Sequence, residues 1–135
     1  MTASNDVTLV KGAIHNPDEP RHFMRVVSAP GRRTATVDGT VIADSTTAVL
    51  VKEVGRDIYD PVVYFPRADV EMGLLARIDK STHCPLKGDT EYFDLSLGGR
   101  TVAEVAWSYV DMVDVDGVEV LQGLVAFDTG LVDLD

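Results

Sequence analysis

Apolar and polar positions alternate along most of the chain from Arg32 onward, with a period of two. That period puts successive side chains on opposite faces of an extended backbone, so it predicts strands rather than helices. Residues 34–37 and 40–43 flank Asp38-Gly39, a hairpin signal, because both central positions of the favoured two-residue turn need positive φ. Residues 48–54 are apolar and β-branched, and Pro61 leads into a further strand at 62–65. Gly98-Gly99 separates strands at 92–97 and 101–110, and residues 124–127 and 131–134 complete the set. Along 101–110 the alternation groups Ala103, Val105, Trp107 and Tyr109 on one face, expected toward the core. Val102, Glu104, Ala106 and Ser108 fall on the other, expected to be wetter or to line a pocket rimmed by the Tyr64, Tyr92 and Tyr109 hydroxyls.

Helical periodicity is sparse. Asp69 is placed to cap a short helix over 70–76, since a carboxylate can accept the free amides of a first turn. Residues 45–48 suit a single turn. Pro17, Pro20 and Pro30 punctuate residues 1–30, which read as irregular, because each proline biases its predecessor away from helix. The expected organisation is an irregular N-terminal arm over 1–20 and one β domain over 21–135. The fold class is mainly β and antiparallel, with seven or eight strands and one or two short helices.

A length of 135 residues with 45% hydrophobic content suits one domain with its own core. The net charge of −10 is unevenly placed. Residues 1–88 hold 11 basic and 11 acidic side chains, whereas 89–135 hold 11 acidic ones and only Arg100. A basic stripe for phosphate backbones is lacking, which argues against general nucleic-acid binding. The acidic third suits a solvated surface or the docking of a basic partner. No apolar run reaches membrane-spanning length, and residues 1–6 lack a secretory pattern, so no membrane association and a cytoplasmic location are expected. Cys84 is the one cysteine, which excludes an internal disulfide. Exposed strand edges make self-association a further expectation.

Chemistry-bearing residues concentrate in Val62-Val63-Tyr64-Phe65-Pro66-Arg67-Ala68-Asp69-Val70 and Ser81-Thr82-His83-Cys84-Pro85-Leu86-Lys87-Gly88-Asp89. Arg67 offers a bidentate fork for an anion, and Lys87-Gly88 an ammonium beside an approachable amide. Tyr64, Thr82, Trp107 and Tyr109 are the other expected ligand-binding residues, as aromatic walls with a few polar groups suit a small molecule. Glu53, in phase with Val49 and Val51, is a candidate general base or the partner of a buried Arg67 or Lys87. Cys84 is a candidate nucleophile or a small buried side chain. His15, His22 and His83 lie on separate segments, so no metal site or cofactor is expected. Asp114-Val115-Asp116 lacks the preceding Gly-Ser turn of a two-magnesium nucleotidyltransferase and reads as an acidic loop.

Several strings together resemble a known family: Thr40-Val41-Ile42-Ala43-Asp44-Ser45, Tyr64-Phe65-Pro66-Arg67-Ala68-Asp69-Val70, Thr82-His83-Cys84-Pro85-Leu86-Lys87-Gly88-Asp89, Tyr92-Phe93, Ala106-Trp107-Ser108-Tyr109 and Gly123-Leu124-Val125-Ala126-Phe127. In this order, over roughly residues 20–134, the chain resembles the bacterial domain of unknown function 427, which also carries a nucleotidyltransferase-like label. Leu86 replaces a usual aromatic, Val110 and Met112 replace common prolines, and Asp128-Thr129-Gly130 replaces an aromatic-led turn. The resemblance implies a compact two-sheet β-tent of the Mss4 and cereblon kind. The paired Cys-x-x-Cys zinc knuckles of that wider group have no counterpart beside a single cysteine. The expected function is binding of a small anionic or nucleotide-like ligand. An enzyme, by nucleotidyl transfer or through Cys84, and a structural interaction domain are the alternatives.

Overall fold

The structure, a computed structural model, describes residue 9 and residues 11–135. Twelve strands are formed among these residues: β1 (Ile14–Asn16), β2 (Glu19–Ser28), β3 (Arg33–Val37), β4 (Thr40–Ser45), β5 (Val49–Val54), β6 (Val62–Tyr64), β7 (Leu75–Ile78), β8 (His83–Cys84), β9 (Gly88–Leu97), β10 (Arg100–Met112), β11 (Val125–Phe127) and β12 (Asp133–Leu134). All pairings are antiparallel. The expectation of a mainly β chain of antiparallel sheets therefore holds. Hydrogen bonding divides it into three sheets, ordered β1-β2-β5-β6, β11-β10-β9-β7 with β8 beside β9, and β12-β3-β4. A bridge between Phe65 and Val125, with N–H···O bonds of 2.8 and 2.9 Å in both directions, joins the first sheet to the second.

Both expected hairpins form. Asp38 and Gly39 take φ of 50° and 77° between Val37 and Thr40, and Gly98 and Gly99 take 58° and 79° between Leu97 and Arg100. The irregular reading of residues 1–30 gives way to β1 and β2 from Ile14 onward; within that arm, residues 1–8 and 10 lie outside the described residues. Pro20 is tolerated because it falls where the β1–β2 register slips, between the Asn16–Glu19 and His15–Phe23 pairs, so no ladder bond is lost. The helix expected over 70–76 is also replaced. Short 3-10 turns at Arg67–Asp69 and Met72–Leu74 lead into β7. Asp69 caps nothing there, because its Oδ2 accepts the Ser45 hydroxyl at 2.6 Å. Residues 45–48 form a bend in which the Ser45 hydroxyl accepts the Thr47 amide. Among the described residues, no helix is long and apolar enough to cross a membrane.

Strands β10 and β11 act as a wall with both faces buried. One face, with Val102, Ala106, Val125 and Phe127, packs on Phe65, Phe93, Leu95 and the β3–β4 hairpin, with Phe65 and Phe127 edge to face at 5.6 Å. The other face, with Trp107, Tyr109 and Ala126, packs on Met24, Val51, Tyr64, Leu86, Val118 and Leu121. This reverses the expected faces of 101–110. Ser108 and Ala106 are fully buried, Ala103 is exposed, and Trp107 and Tyr109 are only half buried. The Val102 and Ala106 face meets the Phe65, Phe93 and β3–β4 core, whereas the Trp107 and Tyr109 face is only partly covered. A bulge, in which the four steps from Val102 to Ala106 span the two from Leu95 to Phe93 with Glu104 at φ 52°, adds a local exchange of Glu104 and Val105. Glu104 turns outward, its amide held by Asp94 at 2.8 Å, and Val105 turns into the core.

Candidate functional site

Side chains that reach the second face open into a two-lobed cleft. Alternation on β2 and β5, with Met24 opposite Glu53, points His22, Met24, Val51 and Glu53 the same way. Tyr64 of β6, Tyr92 of β9 and Trp107 and Tyr109 of β10 complete the walls. Lys87 is delivered by a turn. Its amide donates to the Cys84 carbonyl at 3.2 Å, Pro85 occupies the position where a fixed φ suits a turn, and Leu86 is fully buried as an anchor. Gly88 then allows β9 to run against β10. Its φ is 132°, and a Cβ there would lie 2.1 Å from the Asp111 carbonyl oxygen.

The first lobe, about 480 Å³, is lined by Tyr59, Tyr64, Tyr92, Trp107 and Tyr109 together with charged groups. Trp107 Nε1 donates to the Tyr64 hydroxyl at 3.3 Å, and Tyr92 tilts against Trp107 at 6.5 Å. Lys80 lies 4.5 Å over the Tyr92 ring and pairs with Glu104 at the rim. The second lobe, about 910 Å³, is lined by Arg21, His22, Arg56, His83 and Cys84 among others. Glu53, Tyr59, Lys87 and Tyr109 line both.

At the junction lies a buried ion pair. Lys87 Nζ donates to Glu53 Oε1, and the two side chains are 9% and 12% exposed. His22 Nε2 donates to Glu53 Oε2 at 2.8 Å, and the Lys87 ammonium sits 5.3 Å over the Tyr109 ring. Burial works against the ammonium, yet the neighbouring Tyr64 and Glu53 hold the Lys87 pKa above the ordinary lysine value. Burial also pushes the Tyr64 phenol up and the Tyr109 phenol well up. The charge balance differs between lobes. The first holds Lys80 and Lys87 against Glu53, Asp60, Glu104 and Asp128; the second holds Arg21, Arg56 and Lys87 against Glu19 and Glu53.

Of the residues singled out in the sequence, Lys87, Glu53, Tyr64, Trp107, Tyr109 and Cys84 come together here. The pairing of Glu53 with Lys87 is one of the two partners expected for it. Arg67 does not join them. It lies across the β10 wall, donating to Ser108 Oγ at 3.1 Å and the Gly123 carbonyl at 3.0 Å, with Glu91 at 3.8 Å and the Phe93 ring at 5.7 Å. Ser108 and Tyr109 alternate, so a group held by one cannot share a cleft with a group held by the other. Thr82 is exposed and lines neither lobe, bonded to Thr90 at 2.9 Å and to the Tyr92 hydroxyl at 3.3 Å. Gly88 has a packing role. Asp114 and Asp116 border a separate hollow beside Ile14 and His15. His22, Tyr59, Lys80 and Arg56 were missed. For His22 the signal was present as the alternation His22-x-Met24-x-Val26, hidden by the prolines before it.

Fold and cleft together define a small antiparallel β domain with an aromatic cleft built over a buried Lys–Glu pair. The chain belongs to the family described as a domain of unknown function (DUF427), labelled NTP_transf_9, whose model matches residues 25–135. No curated protein matches the chain.

Proposed function

We propose that the domain is a small-molecule-binding module that takes a flat, nucleotide-like ligand across both lobes. The observation that carries this is the buried Glu53–Lys87 pair at the junction of an aromatic lobe and a basic one. Tyr92, Trp107 and Tyr109 offer ring faces for a planar heterocycle. Glu53 accepts and Lys87 donates, so the pair complements the mixed donor and acceptor edge of such a ring. The carboxylates of the first lobe repel an anionic tail, whereas Arg56 and Arg21 of the second attract it. The anion-facing corner is thus Lys87 with Arg56, and Arg67 supports the wall from behind.

Trp107 is the sole tryptophan, so its emission reports on the first lobe without a label. Titration of nucleosides, nucleotides and aromatic acids into metal-free protein, with thermal shift in parallel, tests the proposal. A binding ligand changes Trp107 emission, raises the melting temperature, and loses both effects in Tyr109→Ala. A panel in which no compound does either overturns it.

A further inference from the structure

His22 of β2, Glu53 of β5 and Cys84 of β8 converge on the second lobe. A ring nitrogen, a carboxylate oxygen and Cys84 Sγ lie within 4.8 Å of one another, and all three residues are half buried. From this convergence we propose that the three form a binding site for a divalent transition-metal ion of the zinc class, distinct from the aromatic lobe.

The donor set selects the metal. A thiolate and an imidazole favour zinc-class ions over magnesium or calcium, which prefer oxygen alone. Tetrahedral zinc with sulfur at about 2.3 Å and nitrogen and oxygen at about 2.1 Å needs donors about 3.3–3.6 Å apart. His22 and Glu53 stand at 2.8 Å and need open by only about half an ångström as the ion replaces the proton between them, while Sγ must approach by about an ångström. Sγ makes no hydrogen bond among the described residues that would have to break. Three protein donors leave a fourth position toward the second lobe, the arrangement of sites that bind a water or substrate atom.

One thiolate and one carboxylate cancel a divalent charge, so with the Lys87 ammonium retained the loaded site carries one net positive charge, which suits an anion at the fourth position. Lys87 holds Glu53 Oε1 and leaves Oε2, which faces His22, as the ligand atom; the Lys87 contact is a supporting hydrogen bond of the kind that orients metal ligands. On binding, the ion takes the place of the Nε2 proton that joins His22 to Glu53; that proton moves by way of water to Nδ1, leaving the imidazole neutral, and the Cys84 thiol releases its proton to water.

The test is titration of cobalt(II) into the reduced full chain, followed by absorption. The expected result is one equivalent bound, a near-ultraviolet thiolate-to-cobalt band, and tetrahedral visible bands that zinc bleaches. Cys84→Ser removes the thiolate band, and His22→Gln weakens binding about tenfold or more. Thermal unfolding without metal checks that both variants remain folded. Absence of the band in the wild type, or a band unaffected by His22→Gln, overturns the site. Chelator-treated protein is used for the Trp107 titration, so either proposal can fail while the other stands.

Discussion

Lys87→Met removes the charge at the cleft junction and keeps most of the stem. With Lys87 9% and Glu53 12% exposed, the change leaves a carboxylate with little water. Breaking one side of a buried pair costs about 3–5 kcal/mol. At an unfolding entropy of about 2.1 cal/mol/K per residue over 135 residues, that lowers the melting temperature by about 11–18 °C. His22 still donates to Glu53 at 2.8 Å, so the lower end of the range is expected. The double variant Glu53→Leu with Lys87→Met removes both charges and should recover to within about 2 kcal/mol of the parent, since apolar replacement of a whole pair is nearly neutral. Far-ultraviolet circular dichroism during heating, with urea midpoints at neutral pH, measures both. A single variant that melts within about 3 °C of the parent, or a double variant no better than the single, would refute a desolvated pair.

Three further outcomes follow from the same geometry. Gly88→Ala should destabilise by more than about 3 kcal/mol in urea unfolding, because the added Cβ lies 2.1 Å from the Asp111 carbonyl oxygen at a φ of 132°. A parent-like midpoint would show that β9 has room to shift. Arg67→Ala should cost about 1–3 kcal/mol by stranding Ser108 Oγ and the Gly123 carbonyl, while leaving ligand-induced changes in Trp107 emission intact; lost emission changes in a folded variant would move Arg67 back into the site. Stability should be full below about pH 10 and decline above it, because unfolded Tyr64 and Tyr109 ionise near their ordinary value of about 10 while burial keeps the folded phenols protonated. Urea midpoints at rising pH should fall less steeply in Tyr109→Phe, and equal slopes would count against the buried phenol.

Much of the architecture was legible because it rests on local rules. Asp38-Gly39 and Gly98-Gly99 marked real hairpins through their φ requirement, and period-two runs marked β5, β6 and β11. What failed depended on partners distant in sequence. Pro20 hid β2 because its missing amide is harmless only at a register slip fixed by β1. The helix over 70–76 lost to strand pairing with β9. Half of the site was visible as a dense stretch around Lys87, and Glu53 through its phase with Val51. His22 was not, since only the β2–β5 register brings it beside Glu53. Arg67 looked equivalent to Lys87 by residue type, but it lies across β10 from it.

The bulge at Glu104 gives β10 an arithmetic of its own. Two residues are inserted relative to β9, an even number, so the strand leaves the bulge in the phase in which it entered. Within that interval the code is transposed: Glu104, due to point into the core, reaches the Lys80 rim, and Val105 takes its place inside. Deletion of Ala103 and Glu104 together would cost a rim carboxylate and leave Trp107 and Tyr109 in the cleft. Deletion of either one would invert everything downstream, driving both aromatics into the core and presenting Ser108 to the ligand. Parity, more than the identity of the bulged residues, is what this strand has to keep.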